Sequence, residues 1–206
     1  MERTIHLEGF YLDGNNKKHP YKLWTMSYLS ESNADRLLAV LSDPDFPLET
    51  EPLVKTGVSH RRVGFFSDES AGYYFSGQKT KSLPLITHRY LPRYLRRINN
   101  LLDTNFNGEL INHYRSTSDS IGKHSDSKKN LCNGTVAAIS VGIPRTFRIR
   151  DKITGKIVID VQTAHGQLLV MEGAFQDEFT HEIPVEKSKK VQGERVSITF
   201  RMHKKD

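Results

Sequence analysis

The segment N-H-Y-R-S-T-S-D-S-I-G-K-H-S-D, residues 112–126, ends in the His-x-Asp triplet His124, Ser125 and Asp126. Side chains two positions apart on an extended chain project to the same side. The imidazole of His124 and the carboxylate of Asp126 can therefore bind one metal ion. A distant second histidine would complete the two-histidine, one-carboxylate arrangement that is typical of non-heme Fe(II) sites. Exposed loops that bind nothing also contain such triplets, so the rest of the chain must decide between the two interpretations.

The composition is that of a folded, water-exposed protein of 206 residues, with 36% hydrophobic and 26% charged residues. No stretch reaches the apolar length of a membrane span, and the first ten residues lack the apolar core of a secretory signal. Cys132 is the only cysteine, which excludes a disulfide framework and a cysteine-based zinc site. These features predict an intracellular protein, nuclear or cytoplasmic, without a membrane partner. The net charge of +6 permits a polyanionic partner such as nucleic acid, although many proteins carry this charge without one.

The N-terminal half combines predicted helices with irregular segments. Residues 1–29 contain several aromatic residues and are predicted to form an extended arm, or short strands packed on the main body. A first helix is capped by Ser30 or Ser32 and ends before a proline-rich loop at residues 44–57. A second helix covers residues 91–102 and is predicted to present its arginines to solvent.

Residues 60–77, H-R-R-V-G-F-F-S-D-E-S-A-G-Y-Y-F-S-G, are predicted to form a hairpin whose turn lies at residues 67–72. The two runs combine arginines with aromatic residues. Such a combination suits a nucleic-acid surface, where bases stack on rings and phosphates meet guanidinium groups. The alternative, which this stretch alone favours, is a half-buried sheet whose aromatic residues face the core. Residues 78–84 are predicted to form a basic loop.

From residue 109 onward the chain is predicted to be almost entirely β-structure. Short runs of β-forming residues alternate with turn residues such as Gly142, Gly155 and Pro184, and this spacing indicates a sandwich or jelly roll. The predicted strands cover residues 109–114, 136–141, 146–150, 156–161, 167–171, 180–183 and 195–202.

Two features of this half extend the opening triplet. His181 lies on the predicted strand F-T-H-E-I-P and is a candidate third metal ligand, although a lone histidine on a strand is more often structural. The last strand, R-V-S-I-T-F-R, places four polar side chains on one face. They are Arg195, Ser197, Thr199 and Arg201. Arginines inside a barrel are costly to bury without an anion, and a dicarboxylate would bind them through bidentate hydrogen bonds. The alternative is an exposed face with surface arginines.

Taken in order, these motifs resemble those of the AlkB family of Fe(II)- and 2-oxoglutarate-dependent dioxygenases, and most of all its nuclear double-strand DNA repair branch. The resemblance runs from about His60 to the C-terminus, whereas residues 1–59 match only loosely. The matching motifs are Y-Y-F-S-G (73–77), L-I-N-H-Y (110–114), D-S-I-G-K-H-S-D (119–126), R-T-F-R-I-R (145–150), H-G-Q-L-L-V-M (165–171), H-E-I-P (181–184) and R-V-S-I-T-F-R (195–201).

The resemblance implies a single AlkB-like domain over residues 1–206, mainly β with flanking helices. Residues 105–206 would form the catalytic core, a double-stranded β-helix or jelly roll. Residues 60–85 would form a nucleotide-recognition lid in front of it, and residues 1–59 an N-terminal extension with a helix. The aromatic residues of the predicted hairpin would then belong to the lid rather than to the core.

The resemblance also implies roles for individual residues. The iron ligands, and with them the catalytic residues, would be His124, Asp126 and His181. The positions that bind the cosubstrate 2-oxoglutarate would be Asn112, Tyr114, Arg195, Ser197 and Arg201. Arg195 would pair with the distal carboxylate, and Arg201 would lie nearer the keto-acid end. The positions that meet the substrate base would be Tyr73, Phe75, Ser76, Gly77, Arg61 and Lys128.

The implied reaction uses Fe(II), 2-oxoglutarate and O2 to hydroxylate a methyl group on a base nitrogen in DNA or RNA, with succinate and CO2 as co-products. The hydroxymethyl product would decay to formaldehyde and the repaired base, and a base in a duplex would first be flipped out. The protein is expected to act as a monomer on methylated nucleic acid. Two other functions stay open: a 2-oxoglutarate-dependent hydroxylase of a different base or of protein, and a non-catalytic nucleic-acid-binding module on the same fold.

Two residues depart from the family pattern. Many members carry an acidic residue two positions after the aspartate of the triplet, where it meets the exocyclic group of the base. Lys128 stands at this position, and a lysine donates hydrogen bonds but accepts none. Ser197 stands where asparagine is frequent on the cosubstrate strand. Neither change affects the metal ligands or the arginines, so the sequence predicts an intact oxygenase site with an altered base preference.

Overall fold

A computed structural model of the chain describes residues 2–50, 52–53, 57–58, 61–70, 72–75, 78–126, 134–188 and 191–204. The strands are β1 (Thr4–Leu12), β2 (Lys18–Ser27), β3 (Pro52–Leu53), β4 (Gly57–Val58), β5 (Arg62–Phe66), β6 (Gly72–Phe75), β7 (Gln78–Leu83), β8 (Gly108–Tyr114), β9 (Ile121–His124), β10 (Val136–Gly142), β11 (Thr146–Asp151), β12 (Ile157–Gln162), β13 (Gln167–Gly173), β14 (Phe179–Ile183) and β15 (Arg195–Arg201). The helices are α1 (Glu31–Leu41), α2 (Tyr90–Leu102) and α3 (Phe175–Glu178), with a 3-10 turn at Leu85–Thr87.

Two sheets account for most of these strands. The larger sheet has the order β1-β2-β13-β10-β15-β8-β5-β7-β6, and the smaller has the order β12-β11-β14-β9. Neighbouring strands within each sheet are antiparallel, apart from the parallel pair β5 and β7. Two packed sheets with flanking helices agree with the predicted double-stranded β-helix.

The larger sheet buries apolar residues on both of its faces. Its outer face packs against α1 and α2, and Trp24, Leu37 and Ile98 are fully buried there. Its inner face packs against the smaller sheet in a second apolar cluster that includes Leu169 from one sheet and Ile149 from the other. Successive residues of a strand point to opposite faces, which is how one strand serves both clusters. The polar residues of the site lie between the two sheets.

The first 29 residues contribute more to the fold than the predicted arm or short strands. β1 and β2 form a long antiparallel pair, and β2 continues the larger sheet by pairing with β13 from Ser27 to Tyr21. Both Leu23 and Trp24 of β2 are fully buried, on opposite faces. A strand buried on both faces lacks a clean alternation of apolar and polar residues, and this is why the sequence did not predict its length.

The prediction of a hairpin at residues 60–77 is wrong, because its two strands do not pair with each other. β5 does not pair with β6; it pairs with β8 and, in parallel, with β7. β6 pairs with β7 from Gly72 to Phe75, so the predicted basic loop at residues 78–84 is a strand over most of its length. Lys79 is exposed whereas Thr80 is buried, and this period of two shows a strand that the basic composition had concealed.

The predicted loop at residues 44–57 is wrong in part, because it contains β3 and reaches β4, which pair with each other. The predicted helices and C-terminal strands are confirmed. The two predicted helices correspond to α1 and α2, and the seven strands predicted after residue 107 correspond to β8, β10, β11, β12, β13, β14 and β15 with small differences at their ends. Within the segment that opened the sequence analysis, β9 carries His124 at its last position. No helix among the described residues has both the length and the apolar character needed to cross a membrane.

Candidate active site

Strand pairing in the smaller sheet brings the three candidate metal ligands together. His124 of β9 lies opposite His181 of β14, and their ring centroids are 4.3 Å apart. Asp126 follows β9 directly, and the candidate ligand atoms of the three residues all lie within 4.8 Å of one another. Residues 57 positions apart in the chain thus meet because β9 and β14 are neighbours in the sheet.

Both imidazoles are held in the neutral form that binds metals. Burial lowers the pKa of His181 to about 3, and it also lowers the pKa of His124. His124 Nδ1 lies 2.8 Å from the carbonyl oxygen of Gly122. When Nδ1 carries the proton it donates to this carbonyl, which leaves the lone pair of Nε2 available to a metal ion.

The carboxylate of Asp126 has one satisfied and one unsatisfied oxygen. Oδ1 accepts a hydrogen bond of 2.9 Å from Nη2 of Arg201. Oδ2 is buried and has no hydrogen-bond partner in the described part of the chain. Burial by itself would raise the pKa of Asp126, but the Arg201 guanidinium, together with the two imidazoles, lowers the pKa to about 2. A buried, ionised oxygen without a donor fits a bound cation.

Side chains from outside the ligand set hold the loop that carries Asp126. Gln176 on α3 is buried, and its Oε1 accepts a hydrogen bond of 2.9 Å from the backbone N–H of Asp126. The hydroxyl of Ser125 donates to the carbonyl of Phe179 at 2.7 Å. The position of the carboxylate is therefore fixed from two sides before any metal binds.

A cavity extends from the metal ligands between the two sheets. In the larger sheet, Arg195 of β15 lies opposite Tyr114 of β8, and Ser197 lies opposite Asn112. All four of these side chains line the cavity, as does Arg201 near its metal end. The smaller sheet contributes apolar walls, chiefly Ile121, Phe147 and Ile183. The five predicted cosubstrate residues thus line one cavity that also contains His124 and His181.

Arg195 is the side chain in this cavity best suited to bind an anion. It is 3% exposed, and its Nη2 donates to the hydroxyl of Ser140 at 2.7 Å. Its Nε and Nη1 are buried without a partner among the described residues. Burial of unmatched guanidinium N–H groups is unfavourable, and a carboxylate would satisfy both in a bidentate arrangement.

The predicted base-binding residues have different surroundings. Tyr73 lines the cavity with its ring centroid 5.2 Å from the Arg201 guanidinium carbon, and burial raises its pKa to about 12. Arg61 is 3% exposed and donates from Nε to Oδ1 of Asn112 at 2.7 Å, so it contacts a predicted cosubstrate residue. Phe75 lies on β6. The side chain of Phe75 and residues Ser76, Gly77 and Lys128 lie outside the described residues.

Three residues that build the site were not predicted from the sequence. Ser140 is the single hydroxyl residue in the apolar run of β10, and it faces Ser197 across the strand pair. Its polarity in that run was the signal that could have identified it. Gln176 and Arg145, the latter packed beside Tyr114, had no such signal. Each belongs to a segment with other polar residues that prove to be partly exposed.

A model of the 2OG-Fe(II) oxygenase superfamily matches residues 24–201, a range that contains every residue of the site described above. The chain belongs to this superfamily. The match begins within β2, which agrees with the place of that strand in the larger sheet. It also covers all three candidate metal ligands and both cavity arginines.

Several relatives that are about one third identical to the chain belong to the AlkB group. The DNA oxidative demethylase ALKBH2 of Bos taurus is 35% identical over 149 residues, which cover 68% of this chain and 52% of that protein. The human protein of the same name is 34% identical over the same share of this chain and 56% of its own length. Human alkB homolog 3, an alpha-ketoglutarate-dependent dioxygenase, is 35% identical over 52% of this chain and 41% of its length. The chain spans about half the length of these relatives. They confirm the resemblance to the AlkB family.

Solved structures confirm the fold. That of OsALKBH1 superimposes with a TM-score of 0.59 at 16% identity, and the overlap covers 88% of this chain and 96% of that one. A 2OG-Fe(II) oxygenase family oxidoreductase from Burkholderia pseudomallei gives a TM-score of 0.58 at 16% identity, over 87% of this chain and 84% of that one. At this identity the likeness concerns the fold alone.

Proposed function

We propose that the protein is an Fe(II)- and 2-oxoglutarate-dependent dioxygenase that demethylates N-alkylated bases in DNA or RNA. One observation carries the proposal: a single cavity is lined by His124 and His181, two of three clustered metal-ligand side chains, and by a guanidinium with two unmatched donors. A metal ion would satisfy the first group and a dicarboxylate the second. The similarity to proteins named DNA oxidative demethylases supports the substrate class.

In this proposal His124, Asp126 and His181 hold Fe(II) and leave the remaining coordination positions open. When bound, iron with 2-oxoglutarate and O2 would supply the oxidising chemistry, with succinate and CO2 as products. The protein would contribute neutral imidazoles, an ionised carboxylate and the cavity that joins them to Arg195. The Arg201 guanidinium keeps Asp126 ionised, and Gln176 keeps its backbone in place.

The cosubstrate would lie along β8 and β15. Arg195, anchored by Ser140, would bind the distal carboxylate with its two unmatched N–H groups. Tyr114 and Asn112 would complete the polar wall beside it. Since Asn112 Oδ1 already accepts from Arg61, the NH2 group of Asn112 is the one that would donate to the cosubstrate.

The base would enter next to the metal, beneath residues 60–85, which we propose act as the lid of the site. Tyr73 and Phe75 are proposed to contact the base ring, and Ser76, Gly77 and Lys128 to lie beside it. Flipping the base out of a duplex would bring its N-methyl group to the metal end of the cavity, and the hydroxylated methyl group would leave as formaldehyde.

Formaldehyde release from methylated oligonucleotides tests the proposal. We expect release from strands that contain 1-methyladenine or 3-methylcytosine, dependent on Fe(II) and 2-oxoglutarate. His181→Ala should abolish it, because two ligands do not hold the metal as three do. His19→Ala is the matched control, since His19 lies at the surface and pairs with Asp13. A wild-type protein that releases none from this panel would refute the proposed substrate.

Lys128 favours a second candidate function within the same chemistry. A lysine cannot accept a hydrogen bond from the amino group of adenine or cytosine, so the oxidant could be directed at a different base or at protein. Succinate formation that is stimulated by peptides but not by methylated oligonucleotides would favour this alternative. Tight oligonucleotide binding without 2-oxoglutarate turnover would instead indicate a non-catalytic binding module.

We further propose that the protein acts as a monomer in the nucleus or cytoplasm, without a membrane partner. The single cysteine and the charge of the chain support this proposal. Light scattering in solution would test the first part, and fractionation of cells that express the tagged protein would test the second.

A further inference from the structure

Arg145 is a buried cation that neither binds the metal nor lines the cavity. It precedes β11, is 1% exposed, and donates hydrogen bonds to three backbone carbonyl oxygens. Nη1 donates to Ser116 at 3.2 Å, and Nη2 donates to Asp119 at 2.8 Å and to Pro184 at 2.7 Å. The planar guanidinium is thus committed to the backbone, with Nε alone lacking a partner among the described residues.

The three carbonyl groups belong to segments that meet beside the cavity. Ser116 and Asp119 lie in the connection from β8 to β9, and Pro184 follows β14. The backbone N–H of Arg145 also donates to the hydroxyl of Thr163 at 3.0 Å, and Thr163 lines the cavity. One residue therefore links both sheets where the cosubstrate strand β8 ends.

The guanidinium of Arg145 also lies beside the ring of Tyr114, a second cavity residue. The guanidinium carbon of Arg145 lies 5.6 Å from the centroid of the Tyr114 ring, and that of Arg195 lies 5.2 Å from the same centroid. A cation within about 6 Å of a ring centroid is attracted to the ring. Tyr114 is held by two guanidinium groups, of which Arg195 is free to bind a ligand and Arg145 is not.

We propose that Arg145 is a positioning residue that fixes Tyr114 at the Arg195 end of the cavity and so sets the length of the dicarboxylate that Arg195 accepts. The inference rests on the proposed function, because it concerns the cosubstrate of that reaction. Since its terminal nitrogens are bound to carbonyl groups of the β8–β9 connection and of Pro184, Arg145 resists outward movement of this end. A 2-oxo diacid one methylene longer would require such movement.

Substitution by lysine isolates the geometric contribution. Lysine keeps the charge but lacks the planar guanidinium group. That group donates to three carbonyl oxygens and at the same time packs beside the Tyr114 ring. Arg145→Lys should raise the KM for 2-oxoglutarate about tenfold, because a displaced Tyr114 would disturb one charge-assisted contact between Arg195 and the distal carboxylate, with kcat within about twofold of wild type. The preference for 2-oxoglutarate over 2-oxoadipate, measured as a ratio of kcat/KM from CO2 release, should fall about tenfold.

Arg148→Lys is the matched control because it lies on β11, only three residues away. Arg148 binds Asp160 at 2.8 Å on the outside of the smaller sheet and does not touch the cavity. We expect no change in KM or in preference. Calorimetric titration of 2-oxoglutarate into the Mn(II)-loaded protein supplies a readout independent of turnover, and the Kd should rise in Arg145→Lys only.

Two results would overturn the inference. One is a folded Arg145→Lys protein with unchanged KM and unchanged preference. The other is an equal loss with both diacids that parallels a lower Tm, which a merely structural role would produce. If Arg145→Lys does not fold, Tyr114→Leu is the second test, because it removes the ring and leaves the hydrogen bonds of Arg145 to the carbonyl groups. Tyr114→Leu should also lower the preference for 2-oxoglutarate over 2-oxoadipate. An unchanged preference would overturn the inference. A wild-type protein that neither binds nor consumes 2-oxoglutarate would instead refute the proposed function.

Discussion

Replacing Arg201 with methionine tests the electrostatic basis of the metal site. Arg201 and Asp126 form a buried ion pair at 2.9 Å, with side chains 4% and 1% exposed. Methionine has a similar length and no charge, so Arg201→Met leaves an ionised carboxylate buried without its donor. Loss of one partner of a buried pair costs about 3–5 kcal/mol.

The pKa of Asp126 gives an independent magnitude. Burial raises this pKa, but the pull of Arg201, with lesser contributions from His181 and His124, outweighs burial and lowers it from 3.8 to about 2. A difference of this size corresponds to roughly 2–3 kcal/mol in favour of the charged form. We therefore expect the metal-free variant to lose about 3 kcal/mol of unfolding free energy at neutral pH.

Urea denaturation in the presence of EDTA measures this loss. Trp24, the only tryptophan and fully buried, reports unfolding by its fluorescence. Addition of Co(II) should stabilise Arg201→Met more than wild type, because the metal supplies the positive charge that the variant lacks. Arg148→Met is the control: its pair with Asp160 is 25% and 36% exposed, and exposed pairs contribute about 0–1 kcal/mol. Equal losses in the two variants would refute the assigned role of Arg201.

Three further predictions concern the supports of the site and the fold. Gln176→Leu should weaken Co(II) binding at least tenfold in a spectroscopic titration, since second-sphere contacts contribute roughly 10–100-fold to metal affinity; unchanged binding would show that the Asp126 loop needs no such support. Burial raises the pKa of Glu109 well above 4.5. The ionised carboxylate therefore destabilises the folded state at pH values above its folded pKa, and this destabilisation disappears as the pH falls toward 4.5. Glu109→Met should therefore stabilise the protein by about 1–4 kcal/mol at pH 8 and by less at pH 4 in urea titrations, and a gain independent of pH would contradict this. Phe75→Ala should impair formaldehyde release from methylated oligonucleotides more than uncoupled 2-oxoglutarate decay, and equal losses would remove Phe75 from the base pocket.

The sequence predicted the C-terminal strands well because their ends carry turn residues and their interiors show a recognisable period. Gly142, Gly155, Gly166 and Gly173 all adopt positive φ, which is the conformation that favours glycine and ends a strand. β2 gave no such pattern, since it is buried on both faces. β7 was missed because composition, rather than alternation, decided its assignment. Local pattern fails where tertiary burial overrides it.

Local pattern could not by itself assemble the metal site. His124 and Asp126 share a side of the chain by spacing alone, and that much followed from the sequence. The meeting with His181 depends on β9 and β14 being neighbours, which is a long-range property of the topology. The resemblance to a family predicted that His181 lies beside His124 and Asp126, because an ordered set of motifs contains topological information that no single strand holds.

The arginines show most clearly what only the structure can reveal. Arg145 and Arg148 lie three residues apart in R-T-F-R-I-R, yet one is buried against backbone carbonyls and the other forms a surface ion pair. Arg201 and Arg195 lie on the same face of β15, yet Arg201 forms an ion pair with Asp126, whereas Arg195 has no carboxylate partner in the described part of the chain and donates only to the hydroxyl of Ser140. A buried guanidinium that pairs with a carboxylate or donates to several carbonyl oxygens indicates a structural role, whereas a buried guanidinium without a counter-ion indicates a place for an anionic ligand. By this criterion Arg195 is the side chain that we propose binds the cosubstrate, and Arg145 is the side chain that we propose keeps the binding place in shape.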